Sequence, residues 1–487
     1  METLESYLTT FESKPLKFYD KSYNLVPQEL VYEEYCKIKY WLSKNHRPGD
    51  RIALWLDNTY HYTLLEIASM NLGITFIPMR NVWPSARVEQ IKKITNFKTL
   101  MDQKSLEEVL KSPKRLLVPS QKLSEEDPLY IMFTSGSTGE PKGVEILRKS
   151  YQNFLNWIDL SFDQIGPDDK LLNSTHFTFD VSLMEVGLLL TKNIHFYTSN
   201  MGNNPLIMAD ELSKLSITIS VTIPNAYNLI LSERIFSELH LENLKHILLA
   251  GSRFPTPLWE KIKRLLPKAT IYNCYGPTEA TIYCLYKMMT GNKENDISKE
   301  VVSIGDPLPN TLAVLIDEKG KEIAEPYRKG ELLIGGTQLM SRYVNSKELT
   351  KSALINIKGE NYYKTGDLGF QNESKEFFVV GRNDDTVKVS GQRVNLSDID
   401  SYILKLGPVK ECASIAISHE SKGTELICYL VLNDSEALTP IKLKKQMKSF
   451  LLPFQIPQKI ILTETLPLNN SGKIDKRKLV ENYQASL

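Results

Sequence analysis

The sequence predicts a large layered α/β domain closed by a β-rich lobe, followed by a smaller α+β domain. A chain of 487 residues exceeds what one hydrophobic core, limited to roughly 250–300 residues, can serve. Through the first two-thirds, short apolar β-rich runs alternate with amphipathic segments: RIALWL from Arg51, ITFIPM from Ile74, LYIMFT from Leu129, NIHFYT from Asn193, ITISVTIP from Ile217 and HILLAG from His246. That alternation is the mark of α/β layering. From about Ala313 the strands LAVLID, GELLIGG and EFFVVGR follow one another without long helices, which predicts the β-rich lobe.

After Arg382 the polar, turn-prone segment NDDTVKVSGQRV introduces a new unit, with a predicted helix over 396–405, strands ASIAIS and LICYLVL, and a helix over 441–451. The boundary is placed at Asp384, giving domains 1–383 and 384–487. Repeats and low-complexity tracts are absent, which argues against a solenoid or scaffold.

Charge excludes several classes of partner. Lys and Arg outnumber Asp and Glu by one, 59 to 58, so no global field recruits nucleic acid or an anionic membrane surface. The N-terminus, METLESYLTTFESK, is acidic and lacks the apolar core of a signal peptide, and the apolar runs are far shorter than the roughly 20 residues that span a bilayer. Five scattered cysteines without a CxxC pair form neither a disulfide framework nor a zinc site. A cytoplasmic enzyme is expected.

Residues 134–143 read TSGSTGEPKG and follow an apolar strand. The glycines let backbone N–H groups approach phosphate oxygens, Thr134, Ser135, Ser137 and Thr138 offer hydroxyls, and Lys142 offers charge. The spacing is not that of a Walker A loop. By composition alone a flexible hairpin is the lesser alternative reading of the segment.

The chain as a whole resembles the superfamily of acyl- and aryl-CoA synthetases, amino-acid adenylation domains of non-ribosomal peptide synthetases, and luciferases. After the 134–143 loop come, in the order that family uses, NCYGPTEATI at 273–282, GELLIGG at 330–336, YKTGDLG at 363–369, GRNDDTVKVSGQRV at 381–394 and NNSGKIDKRKL at 469–479. The resemblance implies an adenylate-forming fold with a mobile C-terminal domain, and an ATP site of Thr134, Ser135, Gly136, Ser137, Thr138, Lys142, Asn273, Cys274, Tyr275, Gly276, Pro277, Thr278, Asp367, Arg382 and Lys473. Within it Tyr275 would stack on adenine, Asn273 read its edge, and Asp367 accept the ribose hydroxyls. Glu279, a carboxylate beside a triphosphate, becomes favourable through a bridging Mg²⁺, for which hard oxygen ligands suit. Lys473 taken alone reads as an exposed lysine. The resemblance makes it the main catalytic residue of adenylation, stabilising charge on the pentacoordinate phosphorus.

The substrate class rests on THFTFDVSLMEV at 175–186, because the fold serves fatty, aryl and amino acids alike. Its FDVS resembles the FDxS of amino-acid adenylating members, in which the aspartate pairs with the substrate ammonium; Asp180 would take that role. Asp180 at a helix start is otherwise an ordinary cap. The resemblance implies a pocket of Asp180, Val181, Met184, Thr222, Leu248, Ala250, Cys274, Ile282 and Tyr283. That lining is mainly apolar and offers no second charge, so a neutral, hydrophobic amino acid is expected. His176 reads as a satisfied core histidine or a gate and is given no catalytic role.

In length and in FDVSLME the chain is similar to D-alanine:D-alanyl carrier protein ligases, but it reads Ala250 where those have a pocket cysteine and Tyr283 where they are small. A freestanding module is expected. It would first form aminoacyl-AMP and then, after the small domain swings about Asp384, pass the acyl group to the phosphopantetheine thiol of a separate carrier protein through a channel at Gly391. Glycine in a tight turn is the plainer account of Gly391. An acyl- or aryl-CoA ligase and a catalytically silent binding relative are the rival readings.

Overall fold

A computed structural model describes residues 2–134, 141–200, 204–289, 301–382, 386–406, 409–419, 423–432, 440–448, 451–468 and 474–486. By packing, the chain divides into two units: 1–81 with 94–133 and 143–381, and 82–93 with 134–142 and 382–487. The division at Gly381 and Arg382 adjoins the expected boundary; Asp384 itself lies outside the described residues. The short segments 82–93 and 134–142, which sequence reading placed in the large domain, group with the second unit. Local sequence pattern carries no information about which layer such a short connection joins.

The first unit holds the predicted layers. Its eight-stranded sheet runs in the order Phe18–Tyr19, His195–Thr198, Lys170–Asn173, Ile219–Thr222, His246–Leu249, Thr270–Tyr275, Leu285–Met289 and Asp306–Pro307. The first six are parallel and the last two antiparallel. Helices Val181–Lys192, Pro224–Ile230 and Thr256–Leu265 return the chain between parallel neighbours, and Pro205–Lys214 carries it across Lys170–Asn173 from His195–Thr198 to Ile219–Thr222. Both faces are therefore covered. Ile219, Val221, Leu248 and Tyr272 point into the main core, while Ile247, Leu249 and Ile271 enter a second cluster on the other side.

A six-stranded sheet (Arg342–Tyr343, Lys142–Leu147, Pro128–Thr134, Thr75–Arg80, Arg51–Leu56, Thr99–Asp102) contributes Ile52, Phe76, Tyr130 and Val144 to the same main core. The β-rich lobe is an antiparallel sheet of Thr311–Ile316, Gly330–Gly336, Glu360–Gln371 and Leu354–Ile357, with Phe377–Arg382 beside Glu360–Gln371. It begins where the sequence pattern changes.

The second unit is α+β. A hairpin, Thr386–Val389 with Gln392–Asn395, leads into helix Leu396–Ile403 and a sheet of Val409–His419, Gly423–Leu432 and Lys459–Leu462, joined by helices Pro440–Met447 and Lys476–Ala485. Alternate residues of the long antiparallel pair feed two clusters, Cys412, Leu426, Cys428 and Leu430 on one face and Ala413, Ile415, Ile427 and Tyr429 on the other. This two-sided burial explains the unbroken apolar runs seen in the sequence.

Among the described residues no helix is long and apolar enough to cross a membrane. Gly305 marks the tightest crossing, linking the eight-stranded sheet to the lobe through a bridge to Phe377. Its φ is +70° and a Cβ would lie 2.0 Å from the Tyr286 carbonyl oxygen. Gly305→Ala is expected to lower unfolding free energy by roughly 2 kcal/mol or more, checked by urea unfolding, because both the left-handed backbone and the clash oppose it.

Candidate active site

Ligand sites on open parallel sheets form outside the carboxyl ends of the strands, where the connecting loops diverge. Here those ends are Asn173, Thr222, Leu249 and Tyr275, and the predicted substrate and nucleotide residues of this unit follow them closely. After Asn173 the chain makes an irregular loop to Asp180 and then enters helix Val181–Lys192. Glu185, fully buried on that helix, accepts hydrogen bonds from Asn173 Nδ2 and from the Ser174 N–H at 3.3 Å. The helix thereby grips the start of the loop that delivers Asp180. Burial holds the Glu185 carboxyl well above the usual carboxylate range.

Asp180 precedes the helix with φ −59° and ψ −24°, and its side chain makes no capping hydrogen bond. The capping explanation therefore does not account for it. Oδ2 is buried without a hydrogen-bond partner among the described residues. Burial pushes the carboxyl up to about 6, the Thr278 hydroxyl opposes that rise and the charge of Glu279 adds to it. An acceptor in this state lacks a cation or donor.

Of the predicted pocket lining, Met184, Leu248, Ala250, Cys274, Ile282 and Tyr283 are buried members of the main core, with Val181 packed against it. Thr222 does not join it: it pairs with Leu249, whose side chain enters the opposite cluster, so strand alternation turns Thr222 away from the Leu248 face.

The segment after Tyr275 doubles back. A Cβ on Gly276 would lie 2.3 Å from the Ile282 carbonyl oxygen and 2.7 Å from Tyr283 Cα, so only glycine permits the approach. Thr281 and Ile282 both adopt positive φ, +54° and +68°, a rare state for β-branched residues. Gln338, fully buried, secures them: its carbonyl accepts from Thr281 Oγ1 at 2.7 Å and its Nε2 donates to the Tyr283 carbonyl at 3.1 Å. Between these points, Pro277 leads into a single 3₁₀ turn, Thr278–Ala280, which carries Thr278 toward Asp180 and buries Glu279. Glu279 Oε1 accepts from the Tyr343 hydroxyl at 2.7 Å.

Tyr275 and Asp367 meet, the tyrosine hydroxyl donating to the carboxylate. Asp367 is further fixed by its N–H to Thr365 Oγ1 at 2.9 Å, whose hydroxyl donates to the Leu332 carbonyl at 2.6 Å. Asn273 departs from expectation. Its Nδ2 donates to the carbonyls of Ser303 at 2.8 Å and Val302 at 3.4 Å, and it is 3% exposed. Strand alternation turns it to the face opposite Cys274, so its amide secures backbone rather than reading a base edge.

Thr134 ends strand Pro128–Thr134, Lys142 opens strand Lys142–Leu147, and Arg382 ends Phe377–Arg382. Ser135, Gly136, Ser137, Thr138 and Lys473 lie outside the described residues. Gly391 and Ser390, at φ +79° and +50°, form the two-residue loop of the hairpin pairing Val389 with Gln392, so the turn alone accounts for the glycine. His176 Nδ1 accepts the Thr178 N–H at 3.1 Å, and burial with the nearby Arg80 charge holds it well below its usual pKa. It is the neutral, satisfied histidine of the plainer reading.

The layered fold, a polar-headed pocket at the strand ends and a hydroxyl- and carboxylate-bearing loop beside it define an enzyme that holds a small substrate next to a nucleotide. Residues 29–344 match the AMP-binding enzyme family and residues 398–473 match the AMP-binding enzyme C-terminal domain. A D-alanine–D-alanyl carrier protein ligase of Bacillus licheniformis is 31% identical over 369 residues, covering 74% of this chain and 72% of that protein. A ligase of the same name from Bacillus thuringiensis is 28% identical over 483 residues, 93% of this chain and 94% of that one. The Vibrio cholerae adenylation domain AlmE, solved in complex with glycyl-adenosine-5′-phosphate, shares the fold with a TM-score of 0.85 at 20% identity, covering 100% of this chain and 98% of its own. The chain belongs to the AMP-binding enzyme family and is an AMP-forming ligase.

The elevated Asp180 pKa carries a stability consequence. A carboxyl whose folded value, about 6, lies above its unfolded value adds stability that is complete below the unfolded value and lost as pH rises through 6. Asp180→Asn is therefore expected to be more stable than wild type at pH 7, by on the order of 2–3 kcal/mol, with the advantage vanishing near pH 4. Ligand-free thermal unfolding across that range checks it.

Proposed function

We propose that this chain activates a neutral amino acid as aminoacyl-AMP and transfers it to the phosphopantetheine thiol of a separate carrier protein. The observation that carries the reading is the unpartnered Asp180 Oδ2, buried at the strand ends beside Thr278. An α-ammonium supplies the missing charge and donors, and a hydrogen bond to a charged group is worth about 1.5–3 kcal/mol net. The carrier-ligase names of the relatives and the glycyl-adenylate bound to AlmE support it.

In the first half-reaction a substrate carboxylate oxygen attacks the α-phosphorus of ATP and pyrophosphate leaves. In the second, the thiol sulfur attacks the acyl carbon and AMP leaves. Asp180 holds the ammonium so that the carboxylate faces the nucleotide, and the apolar cluster around Met184 and Leu248 excludes water from the mixed anhydride. Asp367 and Tyr275 would hold the nucleoside, and Lys473 would meet the transferring phosphate. Glu279 fits a magnesium ion: a buried carboxylate offers hard oxygens, and such ions take one or two carboxylates plus substrate phosphates rather than a protein cage. The ion would neutralise phosphate charge. Five cysteines, all free and buried, suit a cytoplasmic location.

Amino-acid-dependent ATP–pyrophosphate exchange tests the reading. Exchange with a neutral amino acid, lowered at least 10-fold in kcat/KM by Asp180→Ala, is expected. The KM for the amino acid should rise as pH falls below about 6, where Asp180 becomes neutral and loses its attraction for the ammonium. Exchange supported only by carboxylic acids lacking the amine would replace this reading with an acyl-CoA ligase.

A further inference from the structure

Among the residues proposed to line the pocket, Tyr283 carries a polar group that the activation chemistry leaves unused. Tyr283 is 1% exposed, and its hydroxyl has no hydrogen-bond partner among the described residues. Its ring is fixed by edge contacts with Phe154 at 6.0 Å and Trp157 at 6.5 Å between centroids, so it cannot swing out to find water. Its carbonyl is tied to Gln338 and its backbone neighbour Ile282 holds a left-handed conformation, so the chain is committed to this placement. The indole N–H of Trp157, 1% exposed, is unpartnered in the same aromatic group. Burial above all, and then the charges of Cys274, Glu185 and Asp180, hold the phenol well above its usual pKa.

A buried hydroxyl without a partner costs stability, and proteins retain such groups where something else supplies the bond. We propose that the Tyr283 hydroxyl reads a hydrogen-bonding group on the substrate side chain, so that the amino acid activated is a small hydroxylated one of the serine or threonine class. Met184, Leu248, Ile282 and Tyr283 are bulky, buried members of the proposed lining, which favours a short side chain, and the orphaned hydroxyl gives that chain a reason to be polar. This keeps the expectation of a neutral substrate and replaces the hydrophobic side chain drawn from the mainly apolar lining with a hydroxylated one. A pocket built to hydrogen-bond a substrate hydroxyl discriminates strongly against the isostere that lacks it, because the protein group is left unpaired, whereas an apolar wall barely distinguishes the two.

The inference rests on Asp180 binding the α-ammonium, and isosteric pairs keep the two claims separable. ATP–pyrophosphate exchange is measured with threonine against valine and with serine against 2-aminobutyrate, in wild type and Tyr283→Phe. Wild type should favour the hydroxylated member of at least one pair by roughly 10- to 100-fold in kcat/KM, carried mainly by KM. In Tyr283→Phe that ratio should fall at least 5-fold. A wild-type preference for valine or 2-aminobutyrate, or a ratio unchanged in the variant, overturns the role of Tyr283 while leaving amino-acid activation standing. No exchange with any amino acid overturns both. Removing an unsatisfied hydroxyl leaves ring packing intact, so Tyr283→Phe should unfold at or above the wild-type temperature, and a lower temperature would also count against an unpaired phenol.

Discussion

The reversal of the chain between Gly276 and Tyr283 is the constraint from which the rest of the site follows. With no Cβ at 276, the backbone of 282–283 lies against the end of the central strand, and the residues of that one loop face three ways. Tyr275 enters it from the strand already bonded to Asp367, Thr278 faces Asp180, Glu279 reaches Tyr343, and Tyr283 leaves it into the substrate cluster. The proposed nucleoside, phosphate and amino-acid contacts thus all issue from about eight residues of backbone, 276–283. Rigidity at that spot matters because an acyl transfer is won by placing two reacting atoms within near-contact, and angstrom errors are expensive in rate.

Such a loop is not its own free-energy minimum. Positive φ at Thr281 and Ile282, an unpaired carboxylate oxygen at Asp180 and an unpaired hydroxyl at Tyr283 each oppose folding. The surrounding structure offsets them with bonds that serve no ligand: Gln338 on both sides of the left-handed pair, Glu185 on Asn173 and Ser174, Thr365 beneath Asp367. These residues explain why a site built of loops is held as firmly as one built of strands. They also show where substitution far from any ligand would degrade the site.

What the sequence made legible was whatever depends on local pattern. Two-faced strands appear as unbroken apolar runs, so the layers and the α+β unit could be placed, and the position of FDVS before an apolar run put Asp180 at a helix start. Relations between distant segments were not legible. Gln338 follows Tyr283 by 55 residues with no motif to join them. Asn273 sits in a motif that suggests a ligand contact, yet strand alternation turns it onto the backbone at Ser303. Thr222 failed for the same reason, since its register with Leu249 is fixed by the neighbouring strand rather than by its own sequence. Gly391 was open to two accounts, and positive φ in a two-residue hairpin loop favours the local one.

The orphaned groups also bear on the order of events. Without ligand, burial raises the Asp180 carboxyl to about 6, and the Thr278 hydroxyl leads the groups that oppose the rise. An arriving ammonium favours the charged carboxylate and so strengthens every donor aimed at it, Thr278 included. Settling Thr278 settles the turn that carries Glu279, the proposed acceptor on the phosphate side. In the proposed reaction, amino-acid binding and phosphate-site order would therefore be two ends of one short segment of backbone. Coupling of this kind is reciprocal, because whatever one ligand gains from the other's presence the other must gain in return.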